Sequence, residues 1–159
     1  MSIYVIGIDP GTEMGVAIIG NDGVILSWQD SKKPSTRTLL RFVRAHPDEV
    51  RLIGIEDCFI GVNEKSSIMV AKNHAFVEGA LWCAGWSGDL WTPRATEWRK
   101  DLGFRRKSES AHEDALSFAR GITGKAFDAD HIHEAEAVCI ASVAWERVAR
   151  NASRPWVAT

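Results

Sequence analysis

Acidic side chains end two apolar runs of this sequence. Asp9 closes the run at residues 3–9, and Glu56 closes VRLIGIE at residues 50–56. A carboxylate at the end of a buried strand costs free energy unless a cation or hydrogen-bond donors meet it. If the two strands are neighbours in one sheet, the carboxylates stand side by side and repel each other. Proteins tolerate such a pair where a divalent cation lies between the two groups, or where one carboxyl stays protonated.

A third group of acids and imidazoles begins the last helical pattern, residues 131–150. The acids and imidazoles within the seven residues 130–136 include Asp130, His131, His133 and Glu136. His133 and Glu136 are three residues apart, so they share one face of a helix. Small side chains would let this helix lie close against a sheet: Ala135, Ala137 and Ala141. Together with the strand-end carboxylates, this oxygen-rich set suits Mg²⁺ or Mn²⁺ better than zinc.

Each of these features also has an ordinary structural explanation. Asp9 could simply cap its own turn in the stretch Asp-Pro-Gly-Thr, and taken alone it supports both explanations equally. Acids in the first turn of a helix are favourable without any metal. The combination of two strand-end carboxylates with the helical group favours a metal site.

The elements that position these residues follow from the apolar patterning. Strands are predicted at residues 3–9, 15–19, 24–28, 50–56 and 89–92, with a tight hairpin turn at Asn21-Asp22-Gly23. Helices are predicted at residues 38–45, capped by Ser35 and Thr36, and at 65–86, 109–120 and 131–150, with a loop at 121–129. The order predicts an α/β fold with a mixed five-stranded sheet. Its first three strands are antiparallel, the later ones are added by helical crossovers, and helices cover both faces.

Length and composition predict one globular domain. The 159 residues suit a single domain at residues 1–150 with a flexible tail at 151–159. The apolar content of 45% is ordinary, and we see neither a membrane-spanning run nor a secretory signal. Three cysteines without a CxxC pair fit reduced thiols: Cys58, Cys83 and Cys139. We therefore expect a cytoplasmic protein with no membrane partner.

Positive charge is concentrated in one segment, although the net charge of the chain is −2. Six basic residues lie between 94 and 107: Arg94, Arg99, Lys100, Arg105, Arg106 and Lys107. With Glu97 and Asp101 the segment has a net charge of +4, which leaves −6 for the rest of the chain. Such a segment is either a footprint for a polyanion or a solvated helix face, and charge alone favours the second explanation.

Three motifs in order resemble the RuvC-type Holliday junction resolvases, which have an RNase H-like fold. They are GIDPGTEMG at residues 7–15, GIEDCFIGVN at 54–63 and HIHEAEA at 131–137. The segment WTPRATEWRKDLGFRRK resembles the family's basic stretch before its penultimate helix, and the likeness extends from residue 3 to about residue 148. The compact size and the departures from the family pattern resemble phage or prophage members.

The resemblance implies a structure-specific endonuclease of DNA recombination and repair. Such an enzyme, a crossover junction endodeoxyribonuclease, cuts four-way DNA junctions by paired, metal-dependent phosphodiester hydrolysis, leaving 5′-phosphate and 3′-hydroxyl ends. Two Mg²⁺ ions roughly 4 Å apart, with Mn²⁺ as a substitute, would activate a water and stabilise the leaving oxygen.

The family's four catalytic and metal-binding positions fall on these residues: Asp9, Glu56, His133 and Glu136. Glu136 stands where the family usually has aspartate, and its side chain is one methylene longer. Asp130 and Glu134 are therefore alternatives for the fourth position.

The resemblance also implies DNA contacts and a homodimer. Phe59 matches an aromatic residue that stacks on bases at the junction centre, although core packing explains it equally well. The phosphate contacts would come from the basic segment: Arg99, Arg105, Arg106 and Lys107. The long helix at 65–86 is the predicted dimer interface, with candidates Met69, Val70, Val77, Leu81 and Trp82.

Three alternatives remain open at this point. The pattern Asp-Pro-Gly-Thr-x-x-Gly at residues 9–15 also resembles the first phosphate loop of actin-like ATPases, but those need two lobes, so we expect no nucleotide cofactor. A catalytically inactive junction-binding module is the second alternative. The third is a broader nuclease for branched DNA such as forks and flaps, or for RNA–DNA hybrids.

Overall fold

The computed structural model describes residues 2–30, 36–58, 64–105 and 108–152. Its strands are β1 (Tyr4–Asp9), β2 (Met14–Gly20), β3 (Gly23–Asp30), β4 (Val50–Ile55) and β5 (Asp89–Trp91). Its helices are α1 (Arg37–Ala45), α2 (Glu64–Cys83), α3 (Ala95–Asp101), α4 (Ser108–Thr123) and α5 (Ile132–Ala152), and a 3₁₀ turn (Ala129–His131) precedes α5. No helix within these described ranges is long and apolar enough to span a membrane.

The strands form one five-stranded sheet in the order β3-β2-β1-β4-β5. β2 is antiparallel to both β1 and β3, whereas β4 is parallel to β1, and β5 is parallel to β4. Gly23 has a φ of 108°, which a glycine adopts easily, and it is the last residue of the predicted hairpin turn. The predicted mixed α/β sheet with helical crossovers is confirmed.

Helices cover both faces of the sheet. Successive side chains of a strand point to opposite faces, and apolar side chains on each face pack against helices. On one face, α1 and α2 pack on β-strand residues such as Ile6, Ile8 and Ile53. On the other face, α5 packs on Val5, Ala17 and their neighbours, with α4 beside it. Two apolar cores therefore hold the sheet between two helical layers.

Small residues bring α5 unusually close to the sheet. A Cβ atom built on Gly7 would overlap the backbone of Ala137 and Ala141, and one built on Gly15 would overlap the carbonyl group of His133. The prediction that alanines let this helix approach the sheet is confirmed. The close approach carries the first turns of α5 to the ends of β1 and β2.

Helix α3 lies in the basic segment and was not predicted. Its seven residues are too few to show a clear apolar period, and Trp98 is its one fully buried side chain. The backbone N–H of Arg94 donates to Glu97 Oε2 at 2.8 Å, which closes its first turn. The basic segment is thus partly helical, and it is anchored to the core through Trp98.

Helix ends differ from the prediction by a few residues. α2 ends at Cys83 rather than at 86, because Gly85, with a φ of 85°, reverses the chain. The N–H of Trp86 then donates to the carbonyl of Leu81 at 3.0 Å, as in a Schellman motif. α4 continues to Thr123, into the predicted loop.

Two other predictions fall partly outside the described residues. Thr36 is the N-cap of α1, but its side chain makes no capping hydrogen bond, and Ser35 lies outside the described residues. α5 runs through residues 151 and 152, the first two of the predicted tail, and residues 153–159 lie outside the described part.

Candidate metal centre

The parallel pairing of β1 and β4 sets two carboxylates at the same edge of the sheet. Ile8 is in register with Ile55, and the N–H of Glu56 donates to the carbonyl of Ile8 at 3.0 Å. Asp9 is therefore the last residue of β1 and Glu56 directly follows β4, so both lie at the same edge of the sheet, as the sequence predicted. Asp9 is only 5% exposed, and its Oδ1 accepts a hydrogen bond from the N–H of Gly11 at 3.1 Å. Asp9 thus caps its own turn and also faces the site.

Helix α5 adds His133 and Glu136 to this edge. The Nδ1 atom of His133 lies 2.6 Å from Asp9 Oδ2. Asp9, His133 and Glu136 each offer a ligand atom, and these three atoms lie within 4.8 Å of one another. The predicted shared face of positions 133 and 136 therefore meets Asp9. We call Asp9, Glu56, His133 and Glu136 the acidic cluster.

The two alternative carboxylates lie elsewhere. Glu134 accepts hydrogen bonds from Ser27 Oγ at 2.6 Å and from Lys125 Nζ at 3.1 Å. Asp130 is exposed in the 3₁₀ turn, where its carbonyl oxygen accepts from Gln29 Nε2 at 2.7 Å. Of the three acids considered for the fourth position, Glu136 is the one that lies beside Asp9 and His133.

Burial and mutual repulsion disfavour the ionised forms of the two glutamates in the acidic cluster. Burial, followed by the negative charges of Asp9 and Glu136, raises the pKa of Glu56 to about 8. Trp98 Nε1 opposes this shift by donating to Glu56 Oε2 at 2.7 Å. Burial and then Asp9 raise the pKa of Glu136 to about 7, against the opposing charges of Arg99 and His133. A divalent cation would supply the missing positive charge, and the carboxylate and imidazole donors suit one.

The Asp9–His133 contact is a charge-assisted pair. Burial lowers the pKa of His133, but the hydrogen bond to Asp9 and the nearby carboxylates outweigh burial, so the net shift is upward. A Cβ atom built on Gly11 would overlap the His133 ring. The glycine of the Asp-Pro-Gly-Thr turn thus leaves the space in which this imidazole lies.

Two basic side chains border Glu136. Arg99 Nη2 donates to Glu136 Oε1 at 2.7 Å, and its Nε is buried without a hydrogen-bond partner among the described residues. His112 Nε2 lies 3.8 Å from the same carboxylate oxygen. Burial, followed by the positive charges of Arg99 and His133, lowers the pKa of His112. Sequence reasoning missed His112, because no spacing along the chain indicates that α4 places it against α5.

Open clefts adjoin the acidic cluster. One of about 690 Å³ lies beside Glu56 and is also lined by Ser67 and Arg94. Another of about 520 Å³ is lined by Arg99, Lys100 and Arg105. The second cleft therefore carries three positive side chains next to the acidic cluster.

The remaining predicted DNA contacts are only partly described. Arg105 is exposed and is held by Asp114, with Nη2 at 2.6 Å from Oδ1, and by Glu113 at 3.3 Å. Phe59, Arg106 and Lys107 lie outside the described residues. Of the two predicted phosphate contacts that the structure describes, Arg99 lies against the acidic cluster, where it donates to Glu136.

The predicted dimer interface needs a correction. Val77 and Leu81 are fully buried in the core that α2 forms with the sheet, so their assignment to an exposed interface is wrong. Met69 and Trp82 are 48% and 60% exposed, whereas Val70 is partly buried. Four exposed apolar side chains of α2 fall within about 140° of the helix circumference, and we call them the apolar strip: Ile68, Met69, Phe76 and Trp82.

Comparison with known proteins supports the fold. No family model matches the chain, and no curated protein matches it. Among solved structures, Thermus thermophilus RuvC in complex with Holliday junction substrate matches with a TM-score of 0.65 at 18% identity, over 97% of this chain and 99% of that chain. A further Thermus thermophilus RuvC structure matches with a TM-score of 0.63 at 18% identity, over 97% and 100%. The chain therefore has a RuvC-type, RNase H-like fold over nearly its whole length.

Proposed function

We propose that this protein is a metal-dependent endonuclease that resolves four-way DNA junctions. The observation that carries the proposal is the buried group Asp9, His133 and Glu136 at the carboxyl edge of the sheet, with Glu56 on the adjacent strand. The same fold occurs in a protein solved with a Holliday junction substrate. Fold alone does not imply function, so the proposal depends on the chemistry of this cluster.

The acidic cluster fits divalent cations, and we propose Mg²⁺, two ions per site, with Mn²⁺ as a substitute. Asp9, His133 and Glu136 would hold cations together, and Glu56 would complete the site from β4. Divalent cations in such a site lower the pKa of a bound water and neutralise charge that develops on a phosphodiester. Hydrolysis would leave 5′-phosphate and 3′-hydroxyl ends.

Other side chains of the chain would orient the cluster and its substrate. Trp98 donates to Glu56 and fixes that carboxylate, and Trp98 is itself fully buried. Arg99 fixes Glu136, and with Lys100 and Arg105 it lines the adjacent basic cleft. Guanidinium and ammonium groups in that cleft would bind backbone phosphates of the cleaved strand.

We further propose that the enzyme acts as a homodimer. A four-way junction has two-fold symmetry, so two related active sites could nick two opposed strands. The apolar strip of α2 supports an interface there, because exposed apolar side chains grouped on one side of a helix often mark a protein contact.

The test is cleavage of an end-labelled immobile four-way junction, with duplex, fork, flap and RNA–DNA hybrid substrates beside it. We expect paired, symmetric nicks that require Mg²⁺ or Mn²⁺ and that disappear in Asp9→Asn. If forks or hybrids are cleaved as well as the four-way junction, the protein is a broader nuclease rather than a junction resolvase. Junction binding without cleavage in either metal would indicate a binding module.

A further inference from the structure

Helix α1 presents three arginines on its outer face. Arg37, Arg41 and Arg44 are all exposed, and at 100° per residue they fall within about 60° of the helix circumference. The buried residues of α1, Leu39 and Val43, lie on the opposite side, against the sheet. The three arginines, which we call the arginine strip, therefore point away from the core.

No residue that the structure describes neutralises the charge of the arginine strip. The sequence of α1 is RTLLRFVRA, which contains no acid. Within the described part of the chain, no ion pair or side-chain hydrogen bond involves these three residues. Arg147 and Arg150, by contrast, each lie near a carboxylate, at 3.7 Å and 2.6 Å. A concentrated positive charge on a chain of net charge −2 is a local attractor for a polyanion.

Topology places the arginine strip between the two ends of the sheet. Met14 pairs with Asp30 beside the pairing of Asp9 with Gly15, so β3 ends at the edge that carries the acidic cluster. The far end of α1 lies at the opposite edge, because the ring of Phe42 contacts Tyr4, the first residue of β1. α1 therefore runs away from the acidic cluster, on the face opposite α5.

We propose that the arginine strip binds the phosphate backbone of a duplex arm that leaves the junction. This inference rests on the proposed function, because it takes branched DNA as the ligand. The strip extends about 10 Å along the helix, and one DNA strand has a phosphate every 3.4 Å of axial rise, so the strip spans about three phosphates. Guanidinium groups bind phosphate with paired hydrogen bonds.

A duplex fits the arginine strip better than an acidic protein partner does. Protein interfaces usually need a large apolar anchor near their centre. The apolar neighbours of the strip, Leu40 and Phe42, are partly buried and pack against the core, so they offer no such anchor.

The experiment is a binding titration without added divalent metal, on junctions with short arms and with long arms, over a range of salt concentrations. Each lost phosphate contact lowers the log–log salt slope by roughly 0.9. For Arg37→Gln with Arg41→Gln and Arg44→Gln, we expect the slope on long arms to fall by about two to three. On arms too short to reach α1, we expect the slope to match that of the unmodified chain. Thermal unfolding checks that the variant is folded.

Charge-matched variants separate a local contact from a general loss of charge. Arg41→Gln with Arg44→Gln should weaken long-arm binding, whereas Arg147→Gln with Arg150→Gln, on the opposite face, should leave it unchanged. Arg41→Lys with Arg44→Lys should retain most of the binding. Equal effects of the two glutamine pairs, or a loss that does not depend on arm length, would overturn the proposal.

The outcome is separable from that of the proposed function. If the chain binds long duplexes through the arginine strip but cleaves no junction, the proposed nuclease activity is refuted and phosphate binding by the arginine strip is supported. A chain that cleaves junctions and binds them equally well without the three arginines would refute the strip alone.

Discussion

Glu134 and Glu136 show how strongly the surroundings of one residue determine its chemistry. Both are buried and both lie in the first turns of α5. Glu134 is compensated by Ser27 and Lys125, which both donate hydrogen bonds to its carboxylate. Glu136 faces Asp9, and burial with that repulsion raises its pKa to about 7. The first glutamate ties α5 to β3, and the second is suited to binding a cation.

Substitution by glutamine should separate these two roles. Glu136→Gln should abolish cleavage, because it removes a charge from the acidic cluster, and Glu136→Asp should retain a measurable part. Glu134→Gln should keep metal-dependent cleavage but lower the free energy of unfolding by about 1–3 kcal/mol, because it weakens a buried hydrogen-bonded pair. Single-turnover rates and denaturant titrations measure the two effects. Loss of cleavage in Glu134→Gln with tolerance at 136 would contradict the assignment.

The raised pKa values predict how stability depends on pH without metal. Glu56 and Glu136 bind protons more tightly in the folded state than in the unfolded state, where the pKa is about 4.5. Their contribution is therefore fully present below pH 4.5 and is lost as pH rises toward 7 and 8. We expect Tm to fall over this window in metal-free protein, and Mg²⁺ or Mn²⁺ to raise Tm more at pH 8 than at pH 5.

Variants test the source of this pH dependence. Glu56→Gln and Glu136→Gln should each flatten the metal-free profile, because glutamine does not titrate. An unchanged profile in both variants would mean that other groups determine it.

At the scale of elements, the sequence predicted the strands and helices that have a clear apolar pattern within their own residues. The strands were evident from apolar runs that end in polar turns, and the helices at 131–150 and 65–86 from long periodic segments. α3 was missed because seven residues carry too short a pattern. α2 is apolar on two sides, so its periodicity did not indicate which side packs on the sheet, and Val77 and Leu81 were assigned to the wrong side.

Contacts between distant elements could not be predicted in the same way. The resemblance to a family supplied the four residues of the acidic cluster, and the structure places them at one edge of the sheet. The partners of Glu136 depend on how α3 and α4 pack against α5, which no local pattern specifies. Arg99 was therefore predicted as a phosphate contact rather than as a neighbour of Glu136, and His112 was not predicted.

The packing of α5 against β2 leads to a prediction at this scale. In Gly15→Ala, the new Cβ would overlap the His133 carbonyl, so α5 must move and His133 must shift relative to Asp9. We expect a loss of about 1–3 kcal/mol in unfolding free energy, together with reduced cleavage. Gly121→Ala is the matched control: apart from its chain neighbours and the nearby backbone of α4, no atom of the described residues lies within 4 Å of its Cβ position, so it should stabilise the protein by up to about 1 kcal/mol. Equal behaviour of the two variants would contradict close packing at Gly15.

In the whole molecule, three distinct surfaces lie at different places around the sheet. The acidic cluster lies at one edge, the arginine strip lies on α1 on the face opposite α5, and the apolar strip lies on α2. In a symmetric dimer formed through α2, the two acidic clusters and the two arginine strips would be related by one two-fold axis. Such an arrangement matches a four-armed substrate, in which opposite arms are equivalent.

The last prediction concerns assembly through the apolar strip. We expect the unmodified chain to have a mass in solution of twice 17.6 kDa, measured by light scattering. Phe76→Ser with Trp82→Ser should yield a folded monomer, because both side chains are more than half exposed and contribute little to the core. Leu26→Ser, which changes an exposed apolar residue of β3, should leave the dimer intact. The monomeric variant should cut junctions by single, uncoordinated nicks, since nothing then links two active sites. An unmodified chain that remains a monomer with and without junction DNA, yet makes paired nicks, would refute the dimer.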